Sequence, residues 1–249
     1  MSVKKDDFIL VEYIAKIKET DEVFDTTIAE EAKKGGVYKD NTIYDPMFVV
    51  VGKNWVLKKL DNSLIGAKVG EKTFIEVPPE DGFGPRDPAK VKVIPLARFR
   101  KQDVRPYPGA QIEIDGKTAT VRSIGAGRVQ VDFNSPLAGK TLVYDLSVKR
   151  IIEDEQEKVK ATVHRRIPNV DVDKFKLNVV EKEIIIEVPE EAYSLQGIEF
   201  AKRGIASDLQ TFFPFEKVVF TEIFMKPSSP TSEEQPVQAD VSTDTQSSP

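Results

Sequence analysis

Cysteine and histidine, the residues most often used for nucleophilic catalysis and for binding transition metals, are nearly absent from this chain. The 249-residue sequence contains no cysteine and a single histidine, His164. The missing cysteines exclude disulfides, thiolate metal sites and thiol nucleophiles, and the single histidine excludes a multi-histidine site. The Walker, GxGxxG, HExxH and GxSxG patterns, which mark nucleotide, zinc-protease and hydrolase sites, are also absent. We therefore expect neither a metal site nor a cofactor.

An apolar set of side chains is more informative. Each member lies on a predicted strand edge, at a helix start or in a loop, where it can face a shared cavity. The set consists of Tyr13, Phe24, Asp25, Met47, Val49, Val56, Leu57, Leu60, Phe83 and Tyr144. A cavity of this composition binds an apolar group and orients it with a few polar atoms. For any single member an ordinary core position is the alternative, and it stays open for Val49 and Leu60.

Residues 46–85 position most of this set. Met47–Val51 is a continuous, mostly β-branched run, which is typical of a strand covered on both faces. The apolar spacing over 55–64 predicts a short helix. A further strand over 74–77 ends at a proline pair that cannot continue the ladder, so Phe83 must lie in a loop.

The segments on either side supply further strands. Residues 8–17, 23–27 and 141–152 are β-prone, and residues 28–45 predict a long exposed loop with one helical turn at Ala29–Lys33.

A basic segment interrupts this pattern. Residues 86–132 hold ten Lys or Arg against five Asp or Glu, in a chain of net charge −5. An Asp115-Gly116 pair between two apolar runs predicts a type I′ hairpin, and a second turn is expected at 125–127. The segment is therefore interpreted as a β-rich subdomain inserted between two strands. Its surface is either simply solvated or a face that binds polypeptide segments, and the apolar contacts of such a face would be Ile94, Leu96, Phe99 and Tyr107.

A third region follows the acidic run 153–157. Residues 158–165 and 183–188 are interpreted as strands, which would place His164 on an exposed strand or loop. Apolar residues at spacings of three and four over 195–209 predict a helix, and 217–224 predict a last strand.

The chain lacks signals for a membrane. No run of about 18 apolar residues occurs, and the first residues lack the apolar core of a secretory signal, so we expect a cytoplasmic protein without membrane attachment. Residues 227–249 contain no aromatic residue and no Lys or Arg, and we expect them to be disordered.

Five ordered motifs together resemble the FKBP-type peptidyl-prolyl cis/trans isomerases. They are Val23–Thr27, Pro46–Leu64, Val69–Lys72, Pro79–Gly84 and Leu142–Asp145. Residues 132–145 are also similar to the Asn-x-x-Leu-Ala-Gly signature of the SlyD-like branch, in which a chaperone subdomain is inserted in the flap. The third region and the 28–45 loop resemble the archaeal long-type members. The likeness covers about residues 8–152.

The resemblance implies an α+β fold, with an FKBP-like antiparallel sheet wrapped on a short helix. The implied domains are an isomerase domain at 1–86 and 133–153, an insert-in-flap subdomain at 87–132, a C-terminal α+β domain at 154–226, and the tail at 227–249.

The resemblance also implies the roles of the site residues. Asp25, Phe83 and Tyr13 would be the catalytic residues, and the rest of the apolar set would bind substrate. Phe83 stands where a tyrosine is usual, so a ligand-binding hydroxyl is missing there, and Leu60 stands where single-domain eukaryotic members carry tryptophan.

The expected function is therefore prolyl isomerisation together with chaperoning of unfolded or proline-containing polypeptides. Two alternatives stay open: a holdase chaperone without catalysis, and a ribosome- or RNA-associated module that binds through the basic insert. Ribosome association and homodimerisation through the C-terminal domain are the further partner predictions.

Overall fold

The protein is described by a computed structural model that covers residues 1–100 and 105–225. The predicted disorder of residues 227–249 lies outside the described residues.

The described residues form strands and helices in the following order. They are β1 (Phe8–Ile17), β2 (Val23–Thr26), α1 (Ala29–Lys34), β3 (Met47–Val50), α2 (Lys58–Leu64), β4 (Lys72–Val77), β5 (Val91–Pro95), α3 (Leu96–Arg100), β6 (Gln111–Ile114), β7 (Lys117–Gly125), β8 (Arg128–Asp132), β9 (Leu142–Ile152), α4 (Glu155–Arg166), β10 (Lys176–Val180), β11 (Glu183–Glu187), α5 (Glu190–Tyr193), α6 (Ile198–Phe212) and β12 (Lys217–Thr221). The predicted α+β class is confirmed.

The main sheet is antiparallel and is built around β1. β9 pairs with β1 from Phe8 opposite Ile152 to Ile17 opposite Leu142, and β4 continues the sheet beyond β9. β2 and β3 pair with opposite ends of the other edge of β1. Segments far apart in sequence therefore meet in one sheet.

The main sheet is covered on both faces because side chains alternate along its strands. On one face Ile9, Val11 and Val49 pack with Leu60 and Leu64 of α2 in one core. On the other face a second core joins the sheet to α4 and α6; its members include Phe8, Phe48, Val50, Ile152, Val159, Val163 and Leu209. The prediction that Met47–Val51 is covered on both faces is confirmed, and the C-terminal domain supplies the second cover.

The inserted segment forms a separate four-stranded sheet with the order β5-β8-β7-β6 and its own small core. Both of its predicted turns occur. Asp115 and Gly116 have φ angles of 52° and 74°, and Ala126 and Gly127 have φ angles of 47° and 70°. Two successive positive φ values define the type I′ turn, whose twist suits a two-residue hairpin.

The C-terminal domain has a three-stranded sheet, in which β11 pairs antiparallel with β10 and parallel with β12. The predicted helix over 195–209 is confirmed as α6. The predicted strand over 158–165 is wrong, because these residues lie in α4. The Asp154 carboxylate accepts a hydrogen bond from the backbone N–H of Glu157 at 2.8 Å and so caps the start of this helix. The cap stabilises the helix by more than its β-branched residues destabilise it. His164 is therefore a helical residue.

None of the helices in residues 1–100 and 105–225 is both long enough and apolar enough to span a bilayer.

Candidate active site

A cavity of about 140 Å³ lies between the main sheet and α2, and we call it the central cavity. It is lined by Val11, Tyr13, Asp25, Met47, Val49, Val56, Leu57, Leu60, Leu64, Tyr144 and Leu146. Eight of the ten residues of the predicted apolar set are among them. An apolar protein cavity of roughly 150 Å³ can hold a benzene ring, so the central cavity has room for a five-membered proline ring.

Four strands, one helix and the loop before that helix place these side chains; Asp25 comes from β2. Tyr13 comes from β1, Met47 and Val49 from β3, and Tyr144 from β9, each at alternate positions that face α2. Helix α2 begins only at Lys58, three residues later than the sequence spacing predicts. Residues 55–57 therefore form a loop that carries Val56 and Leu57 to the cavity wall.

A buried carboxylate that sequence reasoning missed holds this loop. Asp61 is 2% exposed, and its two oxygens accept hydrogen bonds from the backbone N–H groups of Gly52 and Asn54, each at 2.8 Å. Gly52 and Asn54 both have positive φ, so the loop turns sharply around the carboxylate. An acidic residue at an apolar-facing position of a short helix was the available signal, because a buried charge needs such partners.

Tyr13 and Asp25 form a fixed pair at the mouth of the cavity. The Tyr13 hydroxyl donates to Asp25 Oδ2 at 2.8 Å, and the backbone N–H of Thr26 donates to Asp25 Oδ1 at 2.9 Å. Burial, reinforced by the negative charge of Asp25, raises the pKa of Tyr13, so this phenol stays protonated. Both carboxylate oxygens are thus engaged by the protein.

Tyr144 differs from Tyr13 in the state of its hydroxyl. Within the part of the chain that the structure describes, the Tyr144 hydroxyl makes no hydrogen bond, although the residue is only 8% exposed and lines the cavity. Burial, with a smaller effect from the charge of Asp25, raises the pKa of Tyr144 to about 12. The central cavity therefore contains one free O–H donor at neutral pH.

Two predicted site residues do not line the central cavity. Phe83 follows the 3₁₀ turn Pro79–Asp81 and is 44% exposed, because a hydrogen bond of 2.7 Å from the Gly84 N–H to the Pro79 carbonyl folds its loop outward from the strand end. Phe24 packs edge-on against Tyr144, with ring centroids 6.1 Å apart, and lines a neighbouring cavity instead. Its contact supports the Tyr144 ring from the side.

The insert residues predicted to contact clients need correction. Ile94 and Phe99 are 8% and 2% exposed and belong to the core of the insert, because a four-stranded sheet needs its own apolar centre. Leu96 is partly buried against the same core, whereas Tyr107 is 66% exposed. Among the described residues of the insert, Val93 and Ile124 are further exposed apolar side chains, at 58% and 38%.

Three known protein families match different parts of the chain. The family described as "FKBP-type peptidyl-prolyl cis-trans isomerase" matches residues 1–100. The family described as "FKBP26, IF domain" matches residues 92–137, and the one described as "FKBP26_C-terminal" matches residues 155–225.

Comparison with individual proteins gives the same family. A "Short-type peptidyl-prolyl cis-trans isomerase" of Methanocaldococcus jannaschii is 33% identical over 155 residues, which cover 62% of this chain and 98% of the relative. A "Probable FKBP-type 16 kDa peptidyl-prolyl cis-trans isomerase" of Pseudomonas fluorescens is 32% identical over 109 residues, 41% of this chain and 71% of the relative. The "FKBP-type peptidyl-prolyl cis-trans isomerase SlyD" of Helicobacter pylori is 26% identical over 162 residues, 62% of this chain and 78% of the relative. The chain therefore belongs to the FKBP-type peptidyl-prolyl cis-trans isomerases, enzymes that interconvert the cis and trans forms of the peptide bond before proline.

Proposed function

We propose that isomerisation takes place in the central cavity without a covalent step, and that the substrates are unfolded or partly folded polypeptides. The observation that carries this proposal is the meeting of eight predicted pocket residues in one cavity of suitable size. The cavity wall is almost entirely aliphatic and aromatic, and its one carboxylate is already hydrogen-bonded.

The physical basis is the charge separation of the planar amide. Rotation about a peptide bond faces a barrier of about 18–20 kcal/mol because resonance gives the bond double-bond character. Water stabilises the polar planar form more than the twisted form, and a dry wall of Met, Val and Leu removes that preference. Each reduction of about 1.4 kcal/mol in the barrier raises the rate about tenfold.

The free hydroxyl of Tyr144 supplies the polar anchor. A donor to the carbonyl of the rotating bond would favour the planar form, so the useful acceptor is a neighbouring carbonyl of the client backbone. The Tyr144 hydroxyl then binds the client in place of the tyrosine hydroxyl that is missing at position 83. Asp25 acts as a positioning residue because it orients the Tyr13 ring.

The insert would add chaperone activity. Val93 and Tyr107, its two most exposed apolar side chains among the described residues, and the basic excess of 86–132 suit unfolded segments, which expose apolar and acidic residues. Ribosome association and dimerisation through the C-terminal domain stay predictions.

A two-substrate assay tests this proposal. Isomerisation is measured on a short proline peptide and on an unfolded protein whose refolding is limited by a prolyl bond. Leu57→Ser, which places a hydroxyl in the cavity wall, should slow both reactions, whereas Val93→Ser with Tyr107→Ser should slow only the second. Protection of clients from aggregation without any isomerisation would favour the holdase, and salt-dependent RNA binding would favour the RNA module.

A further inference from the structure

A second depression continues from the central cavity toward the C-terminal domain, and we call it the side groove. Its volume is about 460 Å³, and Tyr13, Asp25 and Met47 line both the groove and the central cavity. The two spaces are therefore contiguous at the Tyr13–Asp25 pair.

The walls of the side groove come from two domains. The isomerase domain contributes residues 41–43 and 45–48 together with Thr26 at the end of β2 and Thr27 directly after it. The C-terminal domain contributes residues of α4 and the two residues Pro168 and Asn169. The loop 41–45 lies in the segment 28–45, which the sequence predicted to be a long exposed loop with one helical turn. In the structure this loop lines the groove on the side of the isomerase domain.

Specific contacts hold these walls at a fixed separation. His164 Nε2 lies 2.7 Å from Asp45 Oδ2 and connects α4 to the loop. The Arg165 guanidinium stacks on the Trp55 ring at 4.0 Å, and Trp55 also contacts Phe212 of α6, with ring centroids 5.3 Å apart. Since the second core also joins the sheet to α4 and α6, the groove is preformed.

The chemistry of the lining suits an extended polypeptide. The apolar part includes Ile43, Met47 and Ala161, and the polar part includes the uncharged side chains of Thr42 and Asn169. Such a mixture can cover apolar side chains and bond a peptide backbone. The charged lining residues already have partners within the protein: Asp45 pairs with His164, Arg165 of α4 stacks on Trp55, and Asp25 accepts from the Tyr13 hydroxyl. The groove therefore need not select a charged client.

We propose that the side groove is a subsite for the residues that flank the client proline on one side, and that α4 of the C-terminal domain is therefore part of the substrate-binding site. This proposal rests on the central cavity as the prolyl site. A client chain must leave that cavity at its mouth, and because the groove begins at Tyr13 and Asp25, the residues next to the proline on that side can extend into it. Ile43, which is 43% exposed, is the apolar side chain that such residues would cover.

The test compares proline peptides of different length. Peptides of four residues and peptides extended by four residues on either side of the proline are assayed for kcat/KM with the full chain. One extended series should gain about fivefold over the tetrapeptide, the value expected for covering one exposed aliphatic side chain. Ile43→Ser should remove most of that gain and leave the tetrapeptide rate unchanged. Val180→Ser is the matched control, because Val180 is 52% exposed on β10, away from the groove.

A second measurement distinguishes contact from an indirect effect. His164 is the single histidine of the chain, so its ring protons give a unique NMR signal. The extended peptide should shift this signal, and the tetrapeptide should not. Equal kcat/KM for all lengths, or equal losses on short and long peptides in Ile43→Ser, would overturn the subsite. Tetrapeptide activity that survives Leu57→Ser would instead count against the central cavity, so the two proposals fail separately.

Discussion

The side chain of Asn134 and the backbone of Asp87 bond each other reciprocally across the two chain segments that join the insert to the isomerase domain. The Asn134 amide donates to the Asp87 carbonyl at 2.9 Å, and its oxygen accepts from the Asp87 N–H at 3.0 Å. The same amide donates to the buried carboxylate of Asp132 at 2.8 Å, which also pairs with Arg86 and Arg122. We call residues 86–90 and 132–134 the neck. The Asn of the Asn-x-x-Leu-Ala-Gly signature thus fixes the neck rather than the prolyl site.

Asn134→Ala should loosen the neck without affecting the central cavity. The Asp87 N–H and carbonyl lose their partner, and Asp132 Oδ1 keeps only its bond from the backbone N–H of residue 134. This loss should lower the free energy of unfolding by about 1–3 kcal/mol. Isomerisation of a short peptide should be unchanged. Catalysis of protein refolding should slow, because the insert no longer has a fixed orientation and places a bound client less accurately at the central cavity. Ser135→Ala, at the neighbouring exposed position, is the control. Equal refolding rates for the two variants would contradict this role.

Tyr144→Phe tests the free hydroxyl of the central cavity. Because this hydroxyl has no protein partner among the described residues, its removal leaves no unpaired group and should barely change the free energy of unfolding. Loss of one hydrogen bond to the client should lower kcat/KM for a short peptide about five- to tenfold. Tyr107→Phe, which alters an exposed hydroxyl of the insert, should have no effect on the same peptide. An unchanged kcat/KM in Tyr144→Phe would exclude the anchoring role.

Tyr144→Phe should also change how the free energy of unfolding depends on pH. The folded-state pKa of Tyr144 is about 12 against an ordinary value of 10.0, so the neutral phenol is favoured in the folded protein. Because the pKa is higher in the folded than in the unfolded protein, Tyr144 contributes fully to the stability of the fold below pH 10. This contribution is lost as the pH rises toward 12. Between pH 9 and 11 this loss is about 1 kcal/mol. Urea unfolding at both pH values should therefore show a smaller decrease for Tyr144→Phe than for the unmodified chain; equal decreases would argue against a buried Tyr144.

Asp61→Ala should release the loop that carries Val56 and Leu57. Two backbone N–H groups, those of Gly52 and Asn54, lose a charged acceptor in a buried place, and the expected cost is about 2–4 kcal/mol in the free energy of unfolding. KM for a short peptide should also rise, because the cavity wall is no longer held. Asn62→Ala, on the exposed side of the same helix, is the control for both measurements. A stability loss equal to that of the control would show that the carboxylate is dispensable.

Sequence reasoning succeeded where alternation and family motifs pointed the same way. Tyr13, Met47 and Tyr144 lie on strands whose alternate residues face one side, so their meeting in one cavity follows from strand pairing. The helix α4 was missed because β-branched Val159, Thr162 and Val163 favour a strand, whereas the cap at Asp154 is visible only if the acidic run is interpreted as a helix start.

Burial within the insert was harder to predict. Ile94 and Phe99 are apolar in a basic, surface-like segment, and composition alone does not tell a core of eight buried residues from a binding face. Asp61 was missed for a related reason, since its partners are backbone groups that carry no side-chain signal.

The shared core predicts that the isomerase and C-terminal domains unfold together, while the insert unfolds separately. Phe48 is 6% exposed and its ring contacts both Phe8 and Trp55, with centroids 5.9 and 5.6 Å away. Phe48→Ala should cost about 3–5 kcal/mol, and hydrogen exchange should accelerate to the same extent in β1 and in α6. Val121→Ala, in the buried core of the insert, should accelerate exchange in β5–β8 and leave β1 and α6 unchanged. Faster exchange in β1 but not in α6 for Phe48→Ala would mean that the C-terminal domain unfolds independently of the isomerase domain. The side of the groove that α4 lines would then not be held in a fixed position.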